Sequence, residues 1–114
     1  MKNHLLFDSM KKNFISILNK KSSNQVNEDD LFIDYSDSLN DIFNKYFSLL
    51  EEQEKLLSVA REKNDELEMQ SALLKLRTHA MSLASFFEAI VEDAEITLRL
   101  DTWHEIPEDY QGNK

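Results

Sequence analysis

The residues whose types and spacing could do chemistry are few. Asp101 and His104 lie three apart, the spacing at which a helix places a carboxylate and an imidazole side by side, as metal sites in helical bundles require. One such pair in a stretch crowded with acids is expected by chance. His79 has Lys75, Leu76, Ser82 and Leu83 at the i±3 and i±4 offsets, so its own helix supplies no partner carboxylate. The chain has no cysteine, which excludes a thiolate zinc site, a cysteine nucleophile and a disulfide framework. Its only glycine is Gly112, so no Gly-rich loop can cradle a phosphate. Crowded helical carboxylates can raise a pKa and create a general acid, but no nucleophile with a base beside it accompanies them. The expectation is a protein that is not an enzyme and uses no metal or cofactor.

A histidine in mid-helix of an acidic, all-α sequence superficially resembles the phosphoacceptor of histidine phosphotransfer domains. In that family the histidine is followed by a pattern close to x-Leu-Lys-Gly, in which the lysine offsets phosphate charge and the glycine leaves room for it. Here His79 is followed by Ala80-Met81-Ser82-Leu83, with Met81 in the leucine position and both lysine and glycine missing. The resemblance spans only these residues and implies at most a degenerate phosphotransfer-like domain. A partly buried, structural His79 is the reading its neighbours favour.

The elements that must carry these side chains are helices. In 114 residues, 41% hydrophobic with one glycine and one proline, there are too few turn residues for hairpins or sandwiches and too much apolar content for disorder. Leu6, Met10, Phe14, Ile17 and Leu18 recur at helical spacing and predict a helix over 3–20. Residues 21–35 read as a linker, within which Leu31-Phe32-Ile33 is too short for a helix and should be an anchored loop or a lead-in to the next one. Ser38 with Asp41 has the shape of a capping box, and the stripe from Leu39 to Ala60, interrupted at Gln53, predicts a helix over 37–61. The polar run Arg61 to Glu66 marks a turn in which Asn64 or Asp65 can cap a new helix, with Glu68 reaching back. The next helix, 65–100, has an apolar stripe that broadens around Ala80–Val91, as in a helix central to a bundle or shared with an interface. Beyond it lies a partly ordered tail, 101–114, in which Trp103 and Ile106 tuck against the bundle. The fold expected is a single all-α domain, three helices built on a long antiparallel hairpin of residues 37–61 against 65–100.

Charge narrows the function. Of 22 acids, nine fall in residues 28–54 and eight in 88–109, against one lysine and one arginine respectively, and the net charge is −9. Such a surface repels phosphate backbones, so no nucleic-acid partner is expected. Lys2, Lys11, Lys12, Lys20 and Lys21 make the first segment basic, and the expectation is that it docks on the acidic remainder of the fold. No apolar run approaches the roughly 18 residues that cross a bilayer, and the amino terminus is too interrupted for a signal peptide, which points to the cytoplasm and away from a membrane. Ten lysines against three arginines, with nine asparagines, tilt the source toward an AT-rich bacterial or phage genome.

What remains is surface. Phe86 and Phe87 project about 100° apart on one helix, so either a wide core takes both or Phe86 belongs to a partner patch. Phe86, Glu88, Glu92, Asp93, Glu95 and Trp103 are the candidate partner-binding residues. They suit a protein-binding accessory factor of the secretion-chaperone, immunity or inhibitor type, whose target has a basic surface and which in one form mimics DNA. The alternative is a self-assembling helical protein, a coiled-coil homodimer. The two readings part at residues 61–66, where the chain either turns or continues as one helix.

Overall fold

The computed structural model describes residues 6–22, 27–100 and 103. Three helices make the fold: α1 (Leu6–Lys21), α2 (Leu39–Lys63) and α3 (Glu66–Leu98), with one 3-10 turn at Glu28–Asp30 and no strand among the described residues. The Asp101–His104 pair, Ile106 and residues 3–5 of the expected first helix lie outside the described residues.

The chain reverses between α2 and α3 without a glycine or a proline. Asn64 adopts the left-handed conformation (φ 61°, ψ 35°), and its amide bonds to the carbonyls of Ala60 and Arg61. The next amide, Asp65 N–H, reaches the Ala60 carbonyl at 2.9 Å, which completes a Schellman-type stop. Asparagine serves because its short polar side chain lowers the penalty that bars most residues from this region. Asp65 then caps α3 at once, its Oδ1 accepting the Glu68 amide at 3.1 Å. The helices therefore form the dominant antiparallel hairpin, in which α3, 33 residues long, rises about 50 Å at 1.5 Å per residue.

Along α2 the inward stripe includes Leu39, Ile42, Tyr46, Leu49, Gln53, Leu57 and Ala60, with Gln53 buried in place as a polar member. Along α3 it runs Ala72, Leu76, His79, Leu83, Phe86, Ile90, Asp93 and Thr97, a strict alternation of three and four. Every buried side-chain nitrogen and oxygen among the described residues has a hydrogen-bond partner. A buried polar group left unpaired would cost about 1–3 kcal/mol.

α1 packs across the end of the hairpin remote from the turn. Phe7 is its anchor, with ring centroids 4.9 Å from Phe43 and 5.0 Å from Phe86, the second edge-on. Ile33 and Leu39 complete the buried cluster. Of α1's lysines, Lys11 reaches the acidic 28–54 stretch: its ammonium donates to the carbonyls of Asp37 at 2.7 Å and Tyr35 at 3.5 Å. Behind the Ser36 hydroxyl, its charge helps to lower the Asp34 carboxyl's pKa, while within its own helix it pairs with Asp8 at 3.8 Å. Lys12 and Lys20 are exposed.

Candidate protein-binding surface

Of the six residues singled out for partner binding, Glu88 and Glu95 are exposed, Glu92 and Phe86 are half-buried, and Asp93 is not at the surface. Glu95 is held by Arg99 at 2.9 Å. Phe86 falls on the inward stripe, four residues before Ile90, and packs on Phe7 and Phe43; its neighbour Phe87, about 100° round the helix, reaches the edge of the same cluster, its ring centroid 6.1 Å from those of both Phe7 and Phe43, and keeps 45% of its surface exposed. Trp103 is 40% exposed and serves the fold: its Nε1 donates to the Thr97 carbonyl at 2.8 Å, and the Lys21 ammonium stands 5.1 Å from its ring.

Asp93 is the clearest departure from the sequence reading, with 0% of its surface exposed. One carboxylate oxygen accepts the Phe32 amide at 2.8 Å, and the other accepts the Ile33 amide at 2.8 Å and the Tyr35 hydroxyl at 3.0 Å. No cation is paired with it among the described residues. A carboxylate taken out of water must recover its hydration from fixed donors, and consecutive amides with a phenol supply them. Asp93 is thus the receptor for the 32–35 loop and is removed from any partner surface. Burial pushes the Tyr35 phenol well above its ordinary pKa, and the hydrogen bond to the Asp93 carboxylate pushes it further the same way.

A second aspartate joins α1 to α2. Asp8 Oδ1 accepts the Leu39 amide at 2.7 Å and its Oδ2 accepts the Ser38 hydroxyl at 2.7 Å, while the Asp8 amide donates to Asn40 Oδ1 at 2.9 Å. Ser38 itself caps α2 by accepting the Asp41 amide at 3.2 Å. Burial raises the Asp8 carboxyl's pKa, but the bonds from Ser38 and the Leu39 amide outweigh it, and the net displacement is downward. Asp34 is also lowered, by the Ser36 hydroxyl and then the Ser36 amide.

These two aspartates do structural work, whereas the acids of residues 28–54 do not. Glu28, Asp29, Asp30, Asp34, Asp37, Asp41, Glu51, Glu52 and Glu54 are all exposed, and none is in an ion pair among the described residues. A different surface is apolar: Leu73, Leu74, Met81, Phe87, Val91 and Leu98 stand out from α3, and Leu56 and Val59 from α2. His79, half-buried, lies on the inward stripe of α3 rather than among these outward residues. No group of three or more potential metal-ligating side chains occurs among the described residues, and no described helix is long and apolar enough to cross a membrane. No protein-family model, no curated protein and no solved structure matches the chain.

Proposed function

We infer that this small all-helical domain works as a protein-binding accessory factor, acting by non-covalent association with a target that has a basic surface and without chemistry of its own. The observation that carries the reading is the nine-acid block of residues 28–54, exposed throughout and in no ion pair among the described residues. Carboxylates that serve the fold, such as Asp8 and Asp93, are recognisable by their hydrogen bonds to other elements. The acids of the block instead accept at most local bonds, as Asp34 does from Ser36 and Glu54 from Ser58. Like charges kept together on a surface cost folding stability, and they repay that cost by steering an oppositely charged partner.

The test is capture of the target from the source cell followed by association kinetics with the purified pair. Exposed charges are screened over about 8 Å at physiological ionic strength, so the association rate should fall steeply with salt, and replacing Glu51, Glu52 and Glu54 by glutamine should lower it further. A rate indifferent to both salt and these substitutions removes the acidic block from the mechanism.

A further inference from the structure

We propose that two copies of this chain pair through the outer seam of α3, antiparallel, about a two-fold axis at Ala84. Besides its inward stripe, α3 carries a second series at Leu73, Ala80, Ala84, Phe87, Val91 and Leu98, all exposed. Their spacings of seven, four, three, four and seven are those of the seam along which one helix meets another in a coiled coil. Arg77 fills the seam position between Leu73 and Ala80 and the half-buried Ala94 the one between Val91 and Leu98, and Leu74 and Met81 flank the seam with more than half of their surface exposed.

Three properties of the seam select a second copy as its occupant. The first is area. Leu73, Leu74, Met81, Phe87, Val91 and Leu98 are each 45–72% exposed, which at roughly 200 Å² for a fully exposed large side chain presents about 600 Å² of apolar surface. With Ala80, Ala84 and the flanking polar groups this approaches the ~800 Å² per partner of a standard interface, and it stands at the upper end of what a solitary domain ordinarily exposes. The second is charge. In antiparallel pairing about Ala84, Arg77 of one copy lies level with Val91 of the other and beside Glu88, which is exposed and in no ion pair. Parallel pairing would instead set Arg77 against Arg77. The third is shape: Ala80 and Ala84 sit where the helices cross, and small residues there allow axes to approach to about 8 Å. A seam that is complementary to itself end over end is what an isologous two-fold contact requires. The surface is distinct from the acidic block, so it stands or falls separately from target binding.

The experiment is sedimentation equilibrium of the full chain over a micromolar to submillimolar series, in which a monomer–dimer equilibrium is expected. Ala84→Glu brings two carboxylates together at the axis and should raise the dimer dissociation constant by at least about tenfold, with helicity unchanged because the position is exposed. Arg77→Glu should weaken the dimer, and adding Glu88→Arg should restore it. The chain has no cysteine, so Ala84→Cys should cross-link on mild oxidation while Leu67→Cys, equally exposed but off the seam, should not. A monomer at every concentration overturns the proposal, as does a dimer indifferent to Ala84→Glu or one that cross-links as readily through Leu67→Cys. Loss of target capture in the Glu51, Glu52 and Glu54 variant with the dimer intact would count against neither the seam nor its axis.

Discussion

Asp93 and Ile33, 60 residues apart, are joined by a 2.8 Å hydrogen bond from the Ile33 amide to Asp93 Oδ2. Ile33 is 5% exposed and belongs to the buried cluster that also holds Phe7 and Leu39. One carboxylate thus sets where the loop before α2 crosses α3, and so where α1 and the hairpin find their common core.

Replacing Asp93 by alanine should therefore destabilise the fold by about 3 kcal/mol, since two amides and a phenol lose their acceptor and each buried donor left unpaired costs 1–3 kcal/mol. Asp93→Asn should also be damaging, because its amide nitrogen faces donors. Urea unfolding measures both, and a loss below about 0.5 kcal/mol, the range of ordinary surface substitutions, would show that the loop is held by something else.

Tyr35 predicts a loss of stability in alkali. Its folded pKa is raised, by burial and then by Asp93, above the ordinary value of 10.0. The folded state therefore holds this proton more tightly than the unfolded chain. The contribution is fully present below pH 10.0 and is lost as pH rises beyond it toward the folded value. In Tyr35→Phe, stability should be lower at neutral pH by about 1 kcal/mol and should fall less between neutral pH and pH 11. Parallel stability curves for the two proteins would contradict this.

Asp8 predicts the opposite dependence. Its folded pKa lies below the ordinary 3.8, so its contribution is present above that pH and is lost as pH falls toward the folded value. Asp8→Ala should cost about 1–2 kcal/mol at neutral pH, the range for removing a helix N-cap, and should flatten the acid limb of the stability curve. An acid limb unchanged by the substitution would assign it to other carboxylates.

At the turn, Asn64→Gly should be neutral or slightly stabilising, whereas Asn64→Ala should cost about 1–2 kcal/mol, the penalty for placing a side chain with a Cβ and no compensating polar group in the left-handed region. Asp65→Ala should cost about 1 kcal/mol through loss of the cap. Thermal melts of the three variants give the ranking, and Asn64→Ala as stable as Asn64→Gly would mean the reversal is imposed by packing instead.

The parts of this fold that are local in sequence are legible there. Ser38 with Asp41 and Asp65 with Glu68 are capping patterns of which the structure realises the N-cap half, at 3.2 Å and 3.1 Å, while the Asp65 amide, the expected partner of the Glu68 side chain, bonds the Ala60 carbonyl instead. The broad stripe at Ala80–Val91 shows in the sequence as apolar residues on more than one face, and in three dimensions it separates into the inward and outward series of α3. Asp93 was hidden by its type, since an aspartate among acids reads as solvated surface. Its phase was the available signal: it follows Phe86 and Ile90 and precedes Thr97 at spacings of four, three and four, squarely on the inward stripe. For Phe86 the sequence leaves a wide core and a partner patch both open, and its phase on the same stripe agrees with the core, where it packs on Phe7 and Phe43. Asp8 left no local signal, because it caps a helix that begins 31 residues later.

That long-range cap makes the Leu39 amide proton a reporter of its own. The hairpin closes through a turn of a few residues, and the Asp65 amide bonds to Ala60 within it. Leu39 N–H depends on Asp8, so it is shielded only while α1 is seated. Loop-closure entropy favours forming the short connection before the long one, and the element secured last by distant contacts is ordinarily the first to open. In hydrogen–deuterium exchange, the Leu39 amide should exchange through release of α1, at a lower opening free energy than the amides at the centre of α2. The same proton would then record, at a single residue, whether a bound target grips the helix or pries it away.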